Sequence, residues 1–245
     1  ALADIDASGL QETAKLIGGR VDVTTHVVDV SRREQVFQFA DEAAGRHSGV
    51  DIIINNAGTV LGDFLESVPL EDFEWLMGVN FWGVVYGTMA FLPHLKKRPE
   101  GHVVNISSIY GIIPSPGNGL YCTSKFAVRG YTKTLIQEMQ GTPIRVSIVY
   151  PGGIKTSIAR NARINRTMFE LPEEKVRQIY EDKILRLNAD KAAKIIISGI
   201  RRNKKRIRVG ADAKALDWLM RLFSVATLTG CVLFTRRITR VYVNK

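Results

Sequence analysis

Tyr121 and Lys125 stand four residues apart in the run Tyr121-Cys122-Thr123-Ser124-Lys125. On a helix that spacing places both side chains on one face. A free tyrosine titrates at about 10 and is a poor base near neutrality, but a fixed ammonium close by favours the phenolate. Such a pair can give a proton to a carbonyl oxygen and take one from an alcohol. Taken alone, Tyr-x-x-x-Lys describes a surface tyrosine beside a solvated lysine just as well.

Other residues add to the pair. Ser108 ends the run Asn105-Ile106-Ser107-Ser108, thirteen positions before Tyr121. A hydroxyl there could hydrogen-bond the oxygen that Tyr121 protonates. Asn80 sits among Val79, Phe81 and Trp82, and an amide in apolar surroundings is costly unless it is satisfied. Two glycine-containing runs, Asn55-Asn56-Ala57-Gly58 and Pro151-Gly152-Gly153-Ile154-Lys155-Thr156, each follow an apolar stretch.

These residues need elements to hold them. Residues 25–28, 50–54, 103–106, 144–149 and 206–209 read as strands, and those over 50–54, 103–106 and 144–149 are apolar without alternation, the pattern of strands buried on both faces. Ser31 is expected to cap a helix running through Ala44. Further helices are expected from about 70 to 92 and over 121–140. Alternating strands and helices predict an α/β protein with a doubly wound parallel sheet. Ligands bind such sheets at the C-terminal ends of the strands, where the motifs above fall. The polar stretch 156–188 follows one of these ends and reads as a helical flap over the site. An ordinary surface helix pair would read the same way.

Composition narrows the setting. A chain of 245 residues, 45% hydrophobic, can bury one sizeable core. Residues 1–210 are expected to form the catalytic domain, with 211–245 packed on it as an extension. Cys122 and Cys231 are too few and too far apart to suggest a disulfide framework or a metal cluster. They fit a reducing, cytoplasmic setting. Asp4 and Asp6 fall where a secretory leader would be apolar, and no apolar run is expected to reach the roughly 18–20 residues of a membrane span. The net charge of +10 is uneven. Residues 1–200 hold 22 Lys and Arg against 22 Asp and Glu, whereas 201–245 hold 12 against 2.

Taken together, the ordered runs Asn-Asn-Ala-Gly, Val-Asn-Phe, Asn-Ile-Ser-Ser, Tyr121 to Lys125 and Pro-Gly-Gly-Ile-Lys-Thr resemble the short-chain dehydrogenase/reductase family over residues 1 to about 210. The resemblance implies a Rossmann-like fold and NAD(P)-dependent interconversion of an alcohol and a carbonyl. Tyr121 would be the general acid or base, and Ser108 would orient the substrate oxygen. Lys125 would lower the tyrosine's pKa and bind the nicotinamide ribose. Asn80 would hold a water on a proton path. Asn56, Ala57 and Gly58 would line the adenosine ribose. Pro151, Gly152, Ile154 and Thr156 would contact the nicotinamide end, and Asp29 and Val30 the adenine. Asp4, with Ile5 beside it, matches the acidic position that accepts from a ribose 2′-hydroxyl and repels a 2′-phosphate, favouring NAD over NADP. Asp6 is expected to cap the helix that follows. No metal is implied.

The family's first strand and Gly-rich pyrophosphate turn have no counterpart before Asp4. In the strand order 3-2-1-4-5-6 that strand is central, so its loss should separate strands 2 and 3 from the others and expose two interior edges. The expectation is that about 30 residues of such a unit lie upstream. The basic segment 201–245 brackets an apolar stretch that includes Leu216, Trp218, Leu219, Met220, Leu222, Phe223, Val225 and Leu228, and Arg236, Arg237 and Arg240 follow it. Peripheral contact with an anionic membrane and packing on a subunit or the core both fit. Nucleic acid does not, because no recognition motif accompanies the charge. The expected partners are thus a lipophilic alcohol or carbonyl and further copies of the chain in a homodimer or homotetramer. The rival readings are a non-catalytic scaffold of the same fold and, more weakly, an epimerase or dehydratase.

Overall fold

The computed structural model describes residues 1–158, 160–164 and 172–243, with only the backbone at Arg20 and over 234–243. Strand β1 (Leu2–Asp4), helix α1 (Ala7–Ile17) and strand β2 (Thr25–Val27) open the chain. Asp6 caps α1 by accepting from Ser8 N–H at 3.0 Å, as the sequence suggested. Helix α2 (Arg33–Arg46) and strand β3 (Ile52–Asn55) follow. Here the cap differs from expectation. Arg32, not Ser31, occupies the capping position and makes no side-chain cap. The Ser31 hydroxyl donates instead to Asp29 at 2.7 Å, closing a local turn.

The short strand β4 (Leu61–Gly62) leads to α3 (Leu70–Met77) and α4 (Gly83–Leu95). These two helices are joined by a widened turn, Gly78–Trp82, that the sequence pattern did not reveal. The run Leu70–Leu95 is also long and apolar enough to cross a membrane by composition, contrary to expectation. Half of its most apolar stretch is buried in the domain, as befits a core helix. Strand β5 (Gly101–Ile106), helix α5 (Gly119–Glu138) and strand β6 (Ile144–Pro151) come next.

The flap region contains β7 (Ile154–Lys155), β8 (Arg163–Ile164), α6 (Glu173–Ile179), a wide turn Tyr180–Ile184 and β9 (Leu187–Asn188). Residues 159 and 165–171 of that region lie outside the described ones. Helix α7 (Ala189–Arg201), strand β10 (Arg206–Val209) and helices α8 (Ala211–Leu222) and α9 (Ser224–Val243) complete the chain.

Strands β10-β6-β5-β3 form one parallel sheet. Successive side chains alternate between its faces. Val103 packs with Leu95, Leu135 and Val146 on the α4/α5 side, while Val104 packs with Val149, Ala192 and Ile207 on the α7 side. Both valines are fully buried, which explains why the strand reads as continuously apolar. The fold is therefore the doubly wound α/β class inferred from sequence.

The described strands fall into more than one ladder. Strands β1 and β2 pair in parallel with each other but form a separate ladder. Between β1 and β3 lies an open cleft lined by Ala3, Asp4, Ile53, Asn55, Ala57 and Phe91, among others. Beside it Ile52 and Ile54 are nearly half exposed. The expected separation of these two strands from the others is what the described ladders show.

Candidate active site

The sheet sends four polar side chains to one place. Ser108 follows β5 in extended backbone and starts the tight turn Ile109–Gly111, its hydroxyl accepting from Tyr110 N–H at 3.1 Å. Tyr121 and Lys125 project from the first turns of α5. Asn80 comes from the widened turn between α3 and α4. All four are buried, with 8% or less of their surface exposed.

Each is held by specific bonds. Asn80 Oδ1 accepts from Thr59 N–H at 2.8 Å, and its Nδ2 donates to Thr59 O at 2.9 Å and to Ser124 Oγ at 3.1 Å. Ser124 in turn donates to Tyr121 O at 2.8 Å. The amide that looked costly in an apolar helix is thus a tie between the loop after β3 and the backbone of α5. Lys125 Nζ donates to Ile106 O at 3.2 Å, and its ammonium lies 5.7 Å from the centre of the Tyr121 ring. Ser107 Oγ donates to Lys125 O at 2.9 Å. A side chain at Gly111 could not share that space, since a Cβ there would lie 2.4 Å from Ser107 Oγ and 2.6 Å from Lys125 O. Two neighbours that sequence reasoning missed also shape the site. Tyr110 packs edge-on against Tyr121 at 6.1 Å, and Asn118 Nδ2 donates to the Tyr180 hydroxyl of the flap at 3.0 Å. Only Ser124 had a visible signal, its place inside the Tyr121–Lys125 run.

The electrostatics correct one expectation. Burial dominates at Tyr121 and pushes its pKa up to about 12, with the hydrogen bond to Ser108 the main opposing influence. Burial also pulls Lys125 down to about 8. A lysine four residues away was expected to lower the tyrosine, but the cost of burying a phenolate outweighs an ammonium that faces the ring rather than the hydroxyl. The resting pair at neutral pH is a neutral phenol beside an ammonium, which makes Tyr121 a proton donor.

The residues assigned to a dinucleotide lie along one edge. Asp4, Val30, Asn56 and Ala57 line the cleft between β1 and β3. Asp4 Oδ1 accepts from Asp6 N–H at 3.0 Å, and Ile5 beside it is exposed. Asp29 Oδ1 accepts from Ser31 N–H at 2.9 Å. Gly58 leaves a hollow against the catalytic group, where a Cβ would sit 3.2 Å from Asn80 Oδ1 and 3.4 Å from Lys125 Nζ. The chemistry of this set fits a dinucleotide: a carboxylate at the far end, a hollow in the middle, and a lysine and tyrosine at the reacting end. At the other strand end, Pro151 closes β6, Ile154 packs into the core cluster under α7, and Thr156 is exposed. Gly152 and Gly153 have a packing reason of their own. A Cβ on Gly152 would strike the Asp212 carboxylate, and one on Gly153 would strike Ile184 O. Gly153 N–H donates to Asp212 Oδ2 at 2.7 Å.

Comparison with known proteins agrees with this architecture. A family model described as short chain dehydrogenase matches residues 1–167. The Mycobacterium tuberculosis protein SadH, described as an oxidoreductase, is 40% identical over 226 residues, covering 91% of this chain and 80% of its own. A 3-ketodihydrosphingosine reductase of Bacteroides thetaiotaomicron is 38% identical over 139 residues, 57% of this chain and 52% of that one. Among solved structures, a short-chain dehydrogenase/reductase from Burkholderia phymatum in complex with NAD superposes with a TM-score of 0.79 at 27% identity, covering 90% of this chain and 83% of that one. A metagenomic short-chain oxidoreductase in complex with NADP matches with a TM-score of 0.58 at 26% identity, covering 61% and 69%.

Proposed function

Since the chain belongs to the short-chain dehydrogenase/reductase family, whose matched members are oxidoreductases, we propose that it interconverts an alcohol and a carbonyl with Tyr121 as the proton-transferring residue. The observation that carries this reading is the convergence of Ser108, Tyr121, Lys125 and Asn80, four buried polar side chains from three separate elements, at the C-terminal end of the sheet.

In reduction, the substrate oxygen sits between the Ser108 and Tyr121 hydroxyls. Tyr121 gives it a proton, and Ser108 donates a second hydrogen bond that steadies the developing oxyanion. Lys125 stays protonated below about 8 and stabilises the phenolate left behind. Asn80 holds Ser124 and the loop after β3, fixing the register of α5 against that loop. In oxidation the same groups run in reverse. A nicotinamide dinucleotide, when bound, supplies or accepts the hydride. It would be held by Asp4, Ile5, Asp29, Val30, Asn56, Ala57 and Gly58 at one end and by Lys125, Pro151, Gly152, Ile154 and Thr156 at the other. Asp4 favours NAD, since a carboxylate accepts from a 2′-hydroxyl and repels a 2′-phosphate.

A lipophilic substrate draws support from the relative named as a 3-ketodihydrosphingosine reductase and from the packing of Tyr110 edge-on against Tyr121. The experiment is turnover of Tyr121→Phe against a panel of ketones with NADH, with circular dichroism as the folding check. A loss of about 10²- to 10⁴-fold is expected, and near-normal turnover would sink the assignment.

A saturable rise in melting temperature with millimolar NADH is a second expected outcome of this reading, and its absence would count against it.

A further inference from the structure

Helix α8 carries its polar residue inward and much of its apolar surface outward. Asp217 is buried to 1% exposure and binds Arg206, Arg208 at 3.1 Å and Arg221 at 3.4 Å. Leu216 and Met220 pack on the core cluster around Tyr150 and Ile113. On the other side Trp218 is 62% exposed, with Leu219, Leu222, Phe223 and Val225 also exposed. Trp218 and Leu222 lie four apart, so they stack along one face. The helix ends at Phe223, where the backbone leaves helical geometry, and this elbow holds Phe223 out between α8 and α9.

The charge around this stripe is one-sided. Strand β10 leads through Gly210 into α8, and the bonds from Asp217 back to Arg206 and Arg208 show that α8 returns alongside β10. Its C-terminal end therefore lies at the end of the strand where the loop 201–205 enters. That loop presents Arg201, Arg202, Lys204 and Lys205, all exposed, and Lys214 and Arg221 are exposed on α8 itself. The two carboxylates of the segment are engaged, Asp217 buried under its arginines and Asp212, itself exposed, accepting from the Gly153 amide. What faces outward is a set of aromatic and aliphatic side chains rimmed by cations. The side chains of Arg236, Arg237 and Arg240 lie outside the described ones.

We infer that this face, centred on Trp218, Leu222 and Phe223 and rimmed by Arg201, Arg202, Lys204, Lys205 and Arg221, docks the domain on an anionic phospholipid surface. The charge complementarity selects this occupant. A second copy of the chain would bring its own cationic rim against this one, and like charges brought together across a contact repel. An anionic headgroup layer answers the rim, and its acyl boundary accepts the apolar stripe. The inference stands whether or not the site above is catalytic.

The test is co-sedimentation of the whole chain with vesicles of phosphatidylcholine alone and of phosphatidylcholine with about 30 mol% phosphatidylglycerol. Binding is expected to the anionic vesicles only and to weaken as salt is raised. Trp218→Glu combined with Phe223→Glu should cut the partition at least about tenfold, and Lys204→Glu combined with Lys205→Glu should do the same, with turnover in solution unchanged. Equal partition onto neutral and anionic vesicles, or no partition onto either, overturns the inference. So does a dimer in solution that Trp218→Glu dissociates, since a second copy would then own the stripe. The wild-type comparison of the two vesicles decides the matter even if a double variant fails to fold.

Discussion

The two ends of the candidate site are built differently. At the proton-transfer end every catalytic side chain is buried and tied to backbone or to another buried group. Beneath it a polar ladder crosses the sheet. Asn55 Nδ2 donates to Asn105 Oδ1 at 2.8 Å and to Thr88 Oγ1 at 3.2 Å, and Asn105 Nδ2 donates to Thr132 Oγ1 at 3.0 Å. At the nucleotide end, Asp4 and Ile5 are exposed on a two-stranded ladder separated by a cleft from the main sheet. The difference is one of placement: the residues proposed for proton transfer stand on the four-stranded sheet and its helices, and those proposed to grip a cofactor stand on the β1–β2 ladder and along the cleft beside it. Substitutions at the first end should therefore cost turnover or stability, and those at the second should cost affinity.

The sharpest probe of the first end is Lys125→Met. Removing the ammonium takes away the charge that stabilises the phenolate, and turnover should fall about 10²-fold or more at neutral pH. The same variant reads out burial through stability. Lys125 titrates at about 8 in the fold and at about 10.4 when unfolded. Between those values the unfolded chain holds more protons, so stability rises with pH, and the cost of the buried charge is fully present below about 8. Tyr121, pushed up to about 12, and Cys122, pushed up to about 11, act in the opposite sense, because the fold keeps protons that the unfolded chain releases above about 9. Melting temperature should thus climb between about pH 7.5 and 9 in the wild type and stay flatter in Lys125→Met. Parallel profiles would show that Lys125 is solvated. Smaller in effect is Asn105→Ala, which removes one partner each from the Asn55 amide, still bonded to Thr88, and the Thr132 hydroxyl, still bonded to Val128 O. Denaturant unfolding should show a loss of about 1–3 kcal/mol, and no loss would mean that the ladder holds nothing in place.

The same contrast explains what was legible in the sequence. The apolar runs of β5 and β6 were placed to within a few residues, because burial on both faces leaves an unmistakable pattern, and the edge strand Arg206–Val209, which alternates arginine with buried Ile207 and Val209, was placed to the residue. Helix contacts were less visible. The expected helix from 70 runs through to Leu95 but widens at Gly78–Trp82, where Asn80 bonds to Thr59 in a loop 21 residues earlier. No local signal marks such a partner. The spacing of Tyr121 and Lys125 gave their shared face correctly but not their depth, and depth decides the direction of the tyrosine's shift. Gly152 was read toward a cofactor through the family resemblance, and the packing that Asp212 and Ile184, remote in sequence, impose on Gly152 and Gly153 left no local signal.

The smallest expected effect probes the nucleotide end, and it is the most diagnostic of how that end works. Asp4 stands at the C-terminal end of β1, exposed, with one carboxylate oxygen accepting from Asp6 N–H. If its charge selects the cofactor, Asp4→Ala should weaken NADH and relieve repulsion of the 2′-phosphate of NADPH. The affinity ratio measured by fluorescence titration should then narrow several-fold, an effect of about 1 kcal/mol. Stability should hardly change, because α1 keeps its cap from Asp6. If melting temperature drops while the ratio stays fixed, Asp4 serves the β1–α1 turn and not the ribose. The two ends would then share one role for polar groups, positioning backbone, and the discrimination would have to come from Asp29 or its neighbours at the end of β2.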